Sequence, residues 1–164
     1  SARMFGTETV RVRPVNCYGI HEEYTPYRGF IPKFIYLSLH NTPYTVYKGH
    51  KRIIDYVEDT CETFANITEN FIPGEVYNVG SGRGVRLSEI VGIYERLASQ
   101  RIQIIQEPQR LRQGDASKIV GDISKFHKKS RWKPRIPLKK TLLDVLDYWR
   151  NEIGSGRISK KDKE

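Results

Sequence analysis

The stretch Glu75-Val76-Tyr77-Asn78-Val79-Gly80-Ser81-Gly82 decides the fold class. A short run of β-forming residues ends in a glycine turn, and an amphipathic helix is expected next, over about 87–99, with Leu87, Ile90, Val91, Tyr94 and Leu97 on one stripe. A strand, a glycine turn and a helix make a βα unit, the building block of α/β folds. Two earlier segments have the same design. Arg13-Pro14-Val15-Asn16-Cys17-Tyr18-Gly19 and Gly49-His50-Lys51-Arg52-Ile53-Ile54-Asp55-Tyr56-Val57-Glu58-Asp59 each set an Asn or Arg where an apolar run gives way to a loop or helix. Ligand contacts in α/β sheets gather at such places, so the three segments together predict a binding face.

Working outward, the pattern predicts strands over 9–15, 44–47, 52–55, 101–106 and 117–122, with the first closing at Asn16 into a loop that runs to about Arg28. Helices are expected over 30–39, with Pro32 in the first turn, and over 57–70, 124–131 and 138–153. Residues 1–153 read as one folded unit, and 154–164, rich in Gly, Ser and Lys, as a disordered basic tail.

With 38% hydrophobic and 29% charged residues, the composition is that of a water-soluble globular protein, and no apolar run approaches a membrane span. The net charge of +9 arises locally: residues 110–140 hold eleven Lys and Arg against Asp115 and Asp122, while the rest of the chain is balanced. Such a segment fits an anionic small molecule, nucleic acid or a solvated face. Cys17 and Cys61 form no metal or disulfide pattern and read as buried structural thiols in a cytoplasmic protein, and the four histidines have no ligand spacing, so no metal is expected.

Several motifs are imitations. Tyr44-Thr45-Val46-Tyr47-Lys48 has the Tyr-x-x-x-Lys spacing of a helical proton-transfer pair, but Pro43 and Gly49 frame it as a strand, in which the two ends stand roughly 13 Å apart. Gly80-Ser81-Gly82 lacks the third glycine of a dinucleotide turn and the acidic residue about twenty positions on. It is either a plain βα turn or the edge of a substrate pocket. Asp55, Glu58 and Asp59 are read as first-turn carboxylates answering a helix dipole. Arg52 and Arg112 could grip a diphosphate through their guanidinium forks or be ordinary surface charge, and Asn16 could be a turn residue.

In register, these segments resemble the C-terminal part of the NAD-dependent epimerase/dehydratase family, the extended short-chain dehydrogenase/reductases that act on nucleotide sugars. Arg13, Asn16, Tyr18 and Gly19 match its Arg-x-x-Asn-x-Tyr-Gly; Arg52, Tyr56, Val57 and Asp59 its Arg-x-x-x-Tyr-Val-x-Asp; Tyr77, Asn78 and Gly80 its Tyr-Asn-x-Gly. Further along, Arg112, Gly114 and Asp115, then Asp122, Ser124 and Lys125, then Trp132 and Pro134 continue the match, which spans about 9–150.

The resemblance implies an α/β fold, the C-terminal substrate-binding portion of an extended Rossmann-type enzyme without its N-terminal dinucleotide-binding half. It implies diphosphate contacts from Asn16, Arg52 and Arg112, a ribose contact from Asp115, base contacts from Thr45, Val46 and Tyr47, and sugar contacts near Arg28 and Lys33, with Asn78 also in the substrate set. Pro14 and Val15 would brush the nicotinamide side of the cofactor. The family's glycine-rich NAD turn and catalytic Tyr-x-x-x-Lys match nothing here. The expectation is therefore a nucleotide-diphosphate-sugar-binding part of an NAD-dependent enzyme, not catalytic alone and binding no NAD alone. The alternatives are a basic nucleic-acid-binding module and a structural half that assembles with a separate NAD-binding chain. In either fragment reading, the first strand needs a new neighbour or becomes an edge.

Overall fold

The computed structural model describes residues 2–25, 29–46, 51–106 and 118–158. In chain order the elements are α1 (Ala2–Phe5), β1 (Arg11–Pro14), β2 (Asn16–Tyr18), α2 (Phe30–Leu39), β3 (Tyr44–Val46), β4 (Lys51–Tyr56), α3 (Val57–Asn70), β5 (Val76–Val79), β6 (Gly84–Arg86), α4 (Leu87–Ala98), β7 (Ile104–Gln106), β8 (Lys118–Ile119), α5 (Ser124–Ser130) and α6 (Leu138–Gly154). The order alternates strands and helices, and pairing is mostly parallel: β1 with β5, β2 with β4, β3 with β7 and β8 with β4. Only β6 runs antiparallel, against the first half of β4.

The α/β class and the helices stand where periodicity places them. Two strands do not. The expected loop after Asn16 begins as β2, because Asn16, Cys17 and Tyr18 pair with Ile54, Asp55 and Tyr56. Tyr18 is buried edge-on to Tyr56, and its hydroxyl hydrogen-bonds Thr141 of α6. The glycine turn after β5 leads first into β6, three residues too short to show a period of two in the sequence. The expected buried thiols are corrected too: Cys17 and Cys61 are both exposed, the Cys17 thiol lying 3.5 Å from the Thr60 hydroxyl.

Two apolar clusters hold these elements. The larger one joins α2, α4 and α6, whose inward faces supply Phe34, Tyr36, Tyr94, Leu142, Leu146 and Trp149, all 4% exposed or less. Phe34 and Tyr94 meet edge to face at 5.0 Å, and Tyr36 and Trp149 at 5.6 Å. The smaller cluster, including Ile67, Tyr77, Val79, Phe126 and Trp132, seats β5 against α3 and α5. The basic run from Lys125 to Lys140 thus sends its two aromatic rings inward and its cations outward. Beyond α6 the chain stays packed through Ile158, with Arg157 paired to Glu152 at 3.0 Å. The remainder of the expected tail lies outside the described residues. Among the described residues no helix is long and apolar enough to cross a membrane.

Leu146 is fully buried where α6 meets the larger cluster. Leu146→Ala is expected to cost about 2–5 kcal/mol of unfolding free energy, read from denaturant midpoints, because a cavity is added to the lost transfer energy.

Candidate functional site

The β2–β4 register puts Asn16 opposite Ile54, two residues after Arg52 on the same strand. Asn16 and Ile54 line a cavity of ≈ 390 Å³, whose other walls are Cys17, Glu22 and the opening turn of α2 from Gly29 to Pro32. This volume lies in the range of small-molecule sites, about 300–1,000 Å³. The α2 end is electrically distinctive. Its N-cap, Gly29, sits in the left-handed region at φ 76° and offers no side-chain cap, and no acidic residue stands in the first turn. The positive end of the helix dipole is therefore left for an anion at the cavity wall.

Glu22 faces this positive end from the loop after β2. Burial pushes its carboxyl above the ordinary range, and the Gly19 N–H it accepts offsets part of that rise. Its Oε2 is buried and has no hydrogen-bond partner among the described residues. Gly29 must be glycine for space as well as conformation, since a Cβ there would come 2.7 Å from Glu22 Oε1.

A second cavity of ≈ 300 Å³ opens at the far end of β4, between α3 and residues 134–138. Here the expectation that Asp55 and Asp59 merely answer a helix dipole is corrected. Asp55 belongs to β4, is 6% exposed, and accepts the Ser81 N–H at 2.9 Å through Oδ1. Its buried Oδ2 lies under Gly80, where a Cβ would come within 2.3 Å. Asp59, 4% exposed, accepts the N–H groups of Arg135 at 3.1 Å and Ile136 at 3.3 Å. One carboxylate thus holds the 80–84 turn and the other the approach to α6. Burial raises the Asp55 carboxyl, the Ser81 contacts oppose that rise, and Asp59 adds to it. The two are braces for loops, with no third acidic or histidine ligand beside them: among the described residues no cluster able to hold a metal occurs.

The remaining sequence candidates divide into two sets. Lys33 is half-buried in the first turn of α2. Thr45 and Val46 lie on β3, paired to β7 opposite Ile105 and Gln106. Asn78 is engaged structurally, its amide donating to the Asp122 carbonyl at 3.1 Å. Pro14 is exposed on β1, and Val15 packs beside Gly80 and Gly121. Tyr44 is a strand residue, as its flanking Pro and Gly imply, whereas Lys48 lies outside the described residues. So do Arg28, Tyr47, Arg112 and Asp115 and the side chain of Arg52. Sequence reasoning missed Glu22 and the uncapped α2 terminus. The legible signal for the latter was Gly29-Phe30-Ile31-Pro32, a glycine and a first-turn proline without Ser, Thr, Asp or Asn at the cap.

No family model matches the chain. It is similar to GDP-6-deoxy-D-mannose reductase of Pseudomonas aeruginosa, 27% identical over 97 residues, covering 59% of this chain and 32% of the relative. It is 26% identical over 149 residues to a putative UDP-glucose 4-epimerase of Methanocaldococcus jannaschii, covering 91% and 48%. Among solved structures, UDP-glucose 4-epimerase of Thermotoga maritima, with UDP-glucose, superposes with a TM-score of 0.79 at 24% identity, over 93% of this chain and 49% of that one. The curated and structural relatives are NAD-dependent epimerases, reductases and dehydratases, and the match falls on their C-terminal part. This chain spans about half the length of the solved relative and less than half of the curated ones.

Two outcomes check the carboxylate assignments. Asp59→Ala leaves the Arg135 and Ile136 amides unpaired, and is expected to cost about 1–3 kcal/mol in a denaturant titration. Asp55 has a folded pKa above its unfolded value, so its ionisation works against folding. That penalty is absent below the unfolded pKa and sets in as pH rises through the folded one. The melting temperature of Asp55→Asn, relative to the unaltered chain, should therefore rise as pH rises from about 4 to 7.

Proposed function

We propose that this chain, a relative of the C-terminal part of the NAD-dependent nucleotide-sugar epimerases and dehydratases, binds a nucleotide-diphosphate sugar in the β2–α2 cavity. The observation that carries the reading is the meeting of Asn16 with the uncapped, positive end of α2 in one cavity of ≈ 390 Å³. An amide donor beside helix-terminal amides suits the oxygens of a diphosphate, and Arg52 and Arg112 would add bidentate guanidinium contacts. Asp115 would hold the ribose, Thr45, Val46 and Tyr47 the base, and Arg28 and Lys33 the sugar, with Asn78 bracing the site through its bond to the Asp122 carbonyl.

Chemistry on the sugar belongs in this reading to the chain joined with an NAD-binding half. The family's route opens with oxidation at the sugar 4-position by NAD, and Pro14 and Val15 would meet the nicotinamide side. Solved relatives of similar fold are complexes with NADPH and with NAD. The docking edge in this proposal is β1. It pairs with β5 alone among the described residues, and three of its four residues are exposed. A parallel sheet is normally covered on both faces, so a further strand and helices against β1 would complete it.

The basic run offers the competing reading of a nucleic-acid module. Phe126 at 1% exposure and Trp132 at 5% are interior, and the Trp132 indole donates to Glu62 at 3.1 Å, so neither ring is placed to stack on a base. That arrangement favours the sugar reading.

The test is calorimetric titration of the chain with UDP, GDP and dTDP sugars at moderate salt. One series should bind, and Asn16→Ala, Arg52→Ala and Arg112→Ala should each weaken it by roughly tenfold to a hundredfold. Binding to duplex DNA that weakens steeply with salt, with no response to any of the sugars, would replace this reading by the nucleic-acid one.

A further inference from the structure

The β2–α2 cavity has two electrically different sides. Asn16 and Ile54 form the β4 side, next to the positive end of α2. Glu22 stands on the other side, since it also borders a neighbouring cavity of ≈ 460 Å³ walled by Tyr148 and Glu152 of α6. Behind Glu22, that second cavity adds the carboxylates of Glu23 and Glu152, and its Arg157 is already paired to Glu152 at 3.0 Å. No Lys or Arg lines the β2–α2 cavity among the described residues. A ligand with its diphosphate at Asn16 and the α2 terminus therefore extends its sugar toward a wall of negative sign.

We propose that Glu22 makes this a site for uncharged or amino sugars and excludes sugars that carry a carboxylate. The inference rests on the nucleotide-sugar reading above and adds the charge class of the sugar. The Glu22 carboxylate has one buried oxygen without a partner, so it has acceptor capacity to spare and no donor to neutralise it. A sugar hydroxyl or ammonium group supplies a donor. A uronate brings a second carboxylate into a half-desolvated space, where like charges repel strongly and no lining cation compensates. Gly29 keeps Glu22 in place by omission, as any side chain there would strike Oε1.

The experiment is calorimetric titration of the full chain at about pH 8, above the ordinary carboxylate range, with UDP, UDP-glucose, UDP-glucosamine and UDP-glucuronate. The unaltered chain should bind the glucosamine derivative at least as tightly as the glucose one, and the glucuronate derivative about tenfold or more weakly. Glu22→Gln should keep UDP-glucose binding and narrow the glucuronate gap to under about threefold. Equal binding of glucose and glucuronate derivatives by the unaltered chain overturns the role of Glu22 and leaves the sugar reading standing. Heat from none of the four ligands overturns both. The series on the unaltered chain decides the matter even if Glu22→Gln fails to fold, which a circular dichroism spectrum reveals.

Discussion

The parallel pairing of β2 with β4 is the constraint on which the rest depends. Three residue pairs, Asn16 with Ile54, Cys17 with Asp55 and Tyr18 with Tyr56, fix which side chains enter the core and which face the cavities. A slip of one residue would exchange the faces, sending Tyr18 away from Thr141 and Asn16 away from the start of α2. The register is secured at one end by aromatic packing of Tyr18 on Tyr56 and at the other by the strands β6 and β8, which both pair with the first half of β4. A core requirement and a recognition requirement are thereby met by the same three residues.

Carboxylates do much of the remaining joining, and in unequal ways. Asp59 ties α3 to the segment before α6 by taking two backbone N–H groups that would otherwise be unpaired. Asp55 takes one from Ser81 and leaves its second oxygen unpaired under Gly80. The exposed pairs of the surface, such as Arg83 with Glu89 at 2.8 Å, contribute far less, since solvent screens them. The architecture therefore rests on a few desolvated acceptors set against backbone amides more than on its many surface charges.

The sequence made the helices legible because each is long and carries an apolar stripe; α4 begins at the expected Leu87, and α3 has both of its expected bounds. Strands of two or three residues, β2, β6 and β8, have too few positions for a period to show, and their existence depends on what they pair with. The site was legible in part for the same reason. Asn16 is marked by its local motif, and so is Arg52, whereas Glu22 gains its importance only from the return of α2 past the loop that carries it. The acidic trio 55, 58 and 59 misled because helix-dipole logic is local, while the actual partners of Asp59 lie more than seventy residues away.

The contact between Asp55 and Gly80 has a consequence for how this chain can vary. The glycine sits at φ +151° with the carboxylate oxygen and Val15 filling the place of a side chain. A larger residue at 80 is admissible only with a smaller one at 55, yet a smaller residue at 55 forfeits the bond that holds Ser81. The two positions are thus bound into one unit of inheritance across a separation of twenty-five residues, and drift at either is blocked until both move together.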